Sequence, residues 1–396
     1  MSPESRARRA ASRLAFATAL LTASVPGVVA FAAVPATVVP MRMVDSRPFV
    51  PVTLNGKRYE FVVDTGGSDV LSSQVAAELG LHVTPGPQIG GANPGTIPSG
   101  ETVVDTFSLG SFTLRNARFT VADFSALVAH IGFRRFDGIV GYEFLREHAV
   151  TFDFRHGLFA VDGAAARAGA SHAVAFRLWG TIPVVHAALD GTDAEFILDT
   201  GDRSALTVFT PFARAHYPER ASGTLRGVVT GFGLRAPVVA DVTRLRTLSL
   251  AGYDIADPIA RLATQEQGGF ASDAVAGSIG AAVLRRFVVT FDYPQGTLTL
   301  RDPLDAARLE WDRSGAWLSR DGGRLRVDDI VAGGPAAEAG LRAGDVITAV
   351  DGTPANAVGL PSLRARLALP ETAAVQFEVR RGAKAFAVTL RLRTLV

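Results

Sequence analysis

The sequence has no cysteine among its 396 residues. That excludes disulfides, thiolate zinc sites, a cysteine nucleophile and a lipid-modified cysteine. It leaves the redox compartment open, because a chain without thiols tolerates either. Lysine is scarce as well: Lys57 and Lys384 are the only two, and arginine carries the rest of the positive charge. The seven histidines (His82, His130, His148, His156, His172, His186 and His216) show no His-Glu-x-x-His or other metal-ligand spacing. They read as surface or hydrogen-bonded turn residues, and no metal or other cofactor is expected. No Gly-x-Ser-x-Gly elbow surrounds a serine, so Ser68 and Ser204 read as loop support rather than nucleophiles. A phosphate loop and a dinucleotide fingerprint are missing too.

One basic, apolar stretch stands apart at the start. Arg6, Arg8, Arg9 and Arg13 precede an apolar run from Leu14 that is broken by Pro26-Gly27, and Ala30-Phe31-Ala32 makes a small-x-small cleavage site. Residues 1–33 therefore read as a secretory signal peptide. Retention as a membrane anchor is the rival, since the run approaches spanning length. Any membrane contact would be through this segment alone. With Glu4 it carries a net +3 of the chain's +2, which leaves −1 for the remainder. A basic surface is thus not indicated, and no nucleic-acid partner is expected. The length suits two to three domains. A hydrophobic content of 48% with 40 glycines suits a β-rich protein with many turns.

What is present is a repeat. Phe61-Val62-Val63-Asp64-Thr65-Gly66 returns as Phe196-Ile197-Leu198-Asp199-Thr200-Gly201. In each copy an apolar, β-branched run stops at an Asp, a hydroxyl residue and a Gly. The run reads as a buried strand, and an acid at its end is not there for packing. Upstream, Pro48 aligns with Pro183, Leu54 with Leu189, and Asn55-Gly56 with Asp190-Gly191, the strongest kind of short hairpin signal. Downstream, Gly138-Ile139-Val140-Gly141 and Val150-Thr151-Phe152-Asp153-Phe154 mirror Gly277-Ser278-Ile279-Gly280 and Val289-Thr290-Phe291-Asp292-Tyr293. A repeat this long means two copies of one lobe. Lobe one is expected over 41–165 and lobe two over 173–303, joined by a small-residue linker at 163–171. In lobe one, Ser72 to Leu79 reads as a short helix. Residues 84–100, rich in Pro and Gly, read as turn or loop.

From residue 308 the texture changes. Gly333-Gly334-Pro335-Ala336-Ala337-Glu338-Ala339-Gly340-Leu341, then Gly344-Asp345-Val346-Ile347 and Val350-Asp351-Gly352, resemble the bacterial PDZ domain, which would occupy 308–396. That resemblance implies binding of extended C-terminal peptide tails at an open sheet edge. It assigns the carboxylate-binding loop to Gly315, Ala316, Trp317 and Leu318. Trp317 reads equally as a core aromatic.

Two lobe copies related by a pseudo-twofold axis bring equivalent residues face to face, so Asp64 and Asp199 are expected as neighbours. Carboxylates that close share a proton. One then takes a proton from water while the other donates to a carbonyl oxygen. Thr65 and Thr200 are expected to hydrogen-bond across the interface, with Gly66 and Gly201 completing the turns. The two motifs, with Val140-Gly141 and Ile279-Gly280, resemble the pepsin-like and retroviral-type aspartic proteases, specifically the bacterial aspartyl proteases with a C-terminal PDZ domain. The resemblance implies an all-β fold, with duplicated pepsin/retropepsin-like β-barrel lobes followed by the PDZ domain, and residues 84–100 as lobe one's flap. It also implies a periplasmic or secreted endopeptidase acting on polypeptide substrates as a monomer, since one chain supplies both halves. The sequence departs from the family after each motif, at Gly67 and Asp202. A solvent-facing Asp202 paired outward with Arg203 is expected. A second reading keeps the fold without the chemistry: an inactive peptide-binding protein in which the PDZ domain recognises partners.

Overall fold

A computed structural model describes residues 37–91, 94–133, 135–163, 172–219, 222–304 and 309–396. The signal segment and nearly all of the linker lie outside these residues.

Lobe one opens with β1 (Thr37–Pro40). β2 (Arg47–Leu54) and β3 (Lys57–Val63) follow as a hairpin. Asn55 and Gly56 at its tip both have positive φ, 47° and 83°, which is why that dipeptide makes a tight turn there. Next come β4 (Val70–Ser72), α1 (Ser73–Glu78), β5 (Ser99–Leu109), β6 (Phe112–Ala122) and α2 (Ser125–Ile131). The Ser72 hydroxyl accepts from Val75 N at 3.2 Å and starts α1. β7 (Gly138–Val140), β8 (Ala149–Asp153) and β9 (Leu158–Val161) complete the lobe. β7 lies parallel to β3 and antiparallel to β4. A further β2–β5 pairing curls this sheet towards a barrel.

Lobe two repeats the plan with β10 (Ile182–Leu189), β11 (Thr192–Asp199), β12 (Leu206–Val208) and α3 (Thr210–His216). β13 (Leu225–Phe232), β14 (Pro237–Arg244), β15 (Ile259–Ala263), β16 (Gly277–Gly280), β17 (Val288–Asp292) and β18 (Thr297–Arg301) follow. β16 runs parallel to β11, as β7 does to β3. Beneath both lobes lies one six-stranded sheet in the order β1-β9-β8-β17-β18-Ala173–Ala175, three strands from each lobe. At its centre β8 pairs β17, and the Thr151 and Thr290 hydroxyls meet at 2.9 Å. Phe61, Phe152, Phe196 and Phe291 are fully buried in a core common to the two lobes. That is why the apolar runs of the repeat are continuous rather than alternating.

The C-terminal unit has its own core. Its sheet runs β19 (Ala316–Asp321), β20 (Arg324–Ile330), β21 (Val346–Val350), β22 (Ala374–Arg381) and β23 (Lys384–Arg391), with α4 (Leu360–Ala368) before β22. β19 forms one edge of that sheet.

Candidate active site

Each motif stands where a core strand ends: β3 at Val63 and β11 at Asp199. The segments after β7 and β16 back the two turns. Asp64 N donates to Val140 O at 3.0 Å and Tyr142 N to Gly67 O at 2.9 Å; Ala281 N donates to Asp202 O at 2.8 Å.

The turns meet through a reciprocal grip. Thr65 Oγ1 donates to Leu198 O at 2.8 Å and accepts from Thr200 N at 3.1 Å. Thr200 Oγ1 donates to Val63 O at 2.7 Å and accepts from Thr65 N at 3.1 Å. Both threonines are buried, so each hydroxyl satisfies groups that water does not reach. Gly66 and Gly201 sit against the opposite lobe's carboxylate. A Cβ on Gly66 would lie 2.7 Å from Asp199 Cγ, and one on Gly201 would lie 2.3 Å from Asp64 Oδ2. Any side chain there would push the carboxylates away from each other.

The geometry brings Asp64 and Asp199 together, half-buried, in a cavity of about 190 Å3. Burial raises the Asp64 carboxyl against the Gly66 amide, which donates to Oδ1 at 2.8 Å. Asp199 is pushed well above the ordinary carboxylate range by burial and then by the charges of Asp64 and Asp202. Both carboxyls are thus raised, Asp199 further than Asp64, and the pair shares a proton.

The expectation for Asp202 is corrected. It does not turn outward to Arg203; its Oδ2 pairs with Arg261 Nη2 at 2.6 Å, inside the site. Ser204 N and Oγ donate to the same carboxylate at 3.0 and 2.8 Å. Burial would raise Asp202, but Arg261 and these bonds hold it below the usual range. The reason is turn length. In lobe one, Leu71, seven residues after Asp64, faces Gly138; in lobe two the residue facing Gly277 is Val208, nine after Asp199. The two extra residues fold Asp202 inward, where its amide donates to Asp199 Oδ1 at 2.8 Å. Arg203 instead pairs with Asp45 at 3.2 Å.

Several groups in this cavity were not singled out from the sequence. Arg47 donates to Gly201 O at 2.7 Å and pairs with Asp45 at 3.1 Å. His130, read as an ordinary histidine, stacks on Phe232 at 3.6 Å in the cavity wall. Arg364 reaches it from the C-terminal unit, beside Trp317, which the PDZ resemblance assigns to the carboxylate loop. No local pattern marks Arg47, His130 or Arg364 for this site, because what they meet there lies in other lobes. None of the described residues of 84–100 lines the cavity. That stretch instead touches lobe two, where Arg235 Nη1 donates to Thr96 O at 3.0 Å and Gly269 N to Gly91 O at 3.4 Å.

In the C-terminal loop, Gly315 N donates to Asp312 Oδ1 at 2.9 Å and Ala316 N to Ser314 Oγ at 3.1 Å. Gly315, Ala316 and Trp317 border a second, larger cavity of about 680 Å3 between this unit and the lobes. Leu318 is buried, with its carbonyl accepting from Arg364 Nη2 at 2.8 Å.

Comparison with known proteins adds two matches. Residues 50–144 match a family model described as aspartyl protease, and residues 326–381 match one described as PDZ domain. No curated protein matches the chain. The crystal structure of an aspartic proteinase from Irpex lacteus is similar at 15% identity and a TM-score of 0.46, over 68% of this chain and 98% of that one. The chain thus joins a segment that matches the aspartyl protease family to one that matches the PDZ domain, in a mostly β fold.

Proposed function

We propose that the protein is an exported aspartic endopeptidase, active as a monomer in the periplasm or outside the cell. Its substrates are polypeptides, and its PDZ domain binds their C-terminal tails or those of regulators. The observation that carries the reading is the facing pair Asp64 and Asp199, each backed by the other lobe's glycine. Ionised Asp64 takes a proton from a water held between the carboxylates. Protonated Asp199 donates to the scissile carbonyl oxygen as the water attacks. A gem-diol results, and its collapse returns a proton to the leaving amine with no covalent enzyme intermediate. Thr65 and Thr200 hold the turns in register.

The test is cleavage of a mixed unstructured-peptide library from about pH 3 to about 8, a window that spans carboxylate dyads. Asp64→Asn and Asp199→Asn run beside wild type. Loss of cleavage in both variants supports the dyad. Cleavage surviving either change sinks it. Silence from every form at every pH favours the inactive peptide-binding reading, which Gly67 and the third carboxylate at Asp202 motivate.

A further inference from the structure

The cavity around the dyad is walled partly by the PDZ domain, through Trp317 and Arg364. At about 190 Å3 it is smaller than the roughly 300–1,000 Å3 of pockets for small ligands. Trp317 and Arg364 therefore border the space a polypeptide enters to reach the carboxylates. α2 of lobe one packs on β19, and β13 of lobe two on β20. Lobe two meets the PDZ domain through an apolar cluster of Val228, Val242 and Ile259 with Trp311, Val331 and Val396. The polar ties to lobe one come mainly from one side chain. Buried Arg364 donates to Asp45 Oδ2 at 3.3 Å, Ile131 O at 3.3 Å and His130 O at 2.6 Å, all in lobe one. Its fourth acceptor is Leu318 O, on the edge strand of its own sheet. Its guanidinium also lies 4.5 Å from the Trp317 ring centroid.

Buried charge clusters bind weakly overall, because desolvation offsets most of their attraction. This face also keeps unpaired polar atoms. Trp317 Nε1 has no partner among the described residues, and His130 Nδ1 and Asp328 Oδ2 lie 3.4 Å apart without hydrogen-bond geometry. Each such group makes docking less favourable. The second cavity runs between Gly315 and the start of β19 on one side and Pro361, Ser362 and Ala365 of α4 on the other. An extended segment entering there meets the edge of β19, where the Leu318 carbonyl is taken by Arg364.

We propose that the PDZ domain is the lid of the dyad chamber and Arg364 its latch. An extended peptide that adds a strand to β19 competes for the Leu318 carbonyl. It frees Arg364 from α2 and so opens the chamber. The consequence for cleavage rests on the protease reading; the lid itself does not.

Hydrogen exchange of the full chain tests it, comparing wild type with Arg364→Ala and Asp329→Ala. The second variant loses only the acceptor of Val229 N at 3.0 Å, on the PDZ surface. The probe is a library of short random peptides with free C-termini. In both variants, amides of 125–132 and 225–232 are expected to exchange at least about tenfold faster, while β8 and β17 stay protected. The library is expected to do the same to wild type and to raise its cleavage of a reporter peptide. Unchanged exchange in both variants overturns the lid. Faster exchange in the variants, with no response of wild type to the library, overturns strand competition. If β8 and β17 lose protection in Arg364→Ala, that variant has unfolded and Asp329→Ala decides. Opening without cleavage by any form leaves the lid standing and removes the protease reading.

Discussion

After its Asp-Thr-Gly motif the Asp64 turn continues with Gly67 and Ser68, and no charged group of that turn touches the carboxylate. Around Asp199 the turn is two residues longer and carries Asp202, which bonds Asp199 through its amide and Arg261 through its side chain. The threonine grip is the same on both sides, to within 0.1 Å for each kind of bond. Duplication has thus kept mechanical symmetry and lost electrostatic symmetry. A neighbouring anion favours the neutral form of an acid, so the longer turn helps to raise Asp199 further than its partner.

The sharpest way to break the comparison is to remove either carboxylate. If the proposed mechanism holds, Asp64→Asn and Asp199→Asn should each lower kcat/KM by at least about 10³-fold, since each removes one partner of the acid–base pair it invokes. Unequal losses would mean that one aspartate is dispensable. Arg261→Met strips Asp202 of its buried partner and should destabilise the protein by about 3–5 kcal/mol in urea unfolding. Lobe one has no counterpart to that pair. Thr65→Val and Thr200→Val should cost about 1–3 kcal/mol each, and equally, because each leaves one buried carbonyl and one buried amide of the opposite turn unpaired. A clear inequality would show the grip to be less symmetric than its distances.

The smallest effects are in pH. Asp199 is raised, so its neutral form is favoured fully below the ordinary carboxylate pKa of about 3.9, and that contribution is lost as pH rises through the raised value. Asp202 and Asp45 are lowered; their contributions are present above about 3.9 and are lost as pH falls through their depressed values. The alkaline limb of the activity profile should therefore lie above the ordinary carboxylate range. Asp202→Asn should move that limb down by about one pH unit. Gly67→Ser should instead move the acid limb down by less, because its Cβ would lie 3.1 Å from Asp64 Oδ2 and offer that oxygen a hydroxyl. If both substitutions move the same limb, the assignment of the proton to Asp199 fails.

Much of the fold is legible in the sequence because its signals are local. Asn55-Gly56 and Asp190-Gly191 specify hairpins by their own backbone preferences, and the apolar runs before each Asp specify strands buried on both faces. The repeat then relates Asp64 to Asp199 without any structure. What the sequence hides is set by register and docking. Arg261 reaches Asp202 only because β15 runs parallel to β12 with Arg261 opposite Thr207. Arg364 meets Asp45 across 319 residues. The inward turn of Asp202 depends on two residues of loop length, which an alignment made from the motif backwards does not expose.

The sheet beneath the lobes has a consequence for synthesis. β8 finds its neighbour β17 only when the chain has grown 139 residues further, the separation of Thr151 and Thr290. At roughly 5–20 residues per second that is a delay of about 7–28 s. Throughout it the first lobe presents Ala149–Asp153 as an open strand edge, every residue but Asp153 buried in the finished protein. Such an edge pairs readily with other chains, so a nascent chain that stalls within the second lobe exposes the part of this molecule most prone to aggregation.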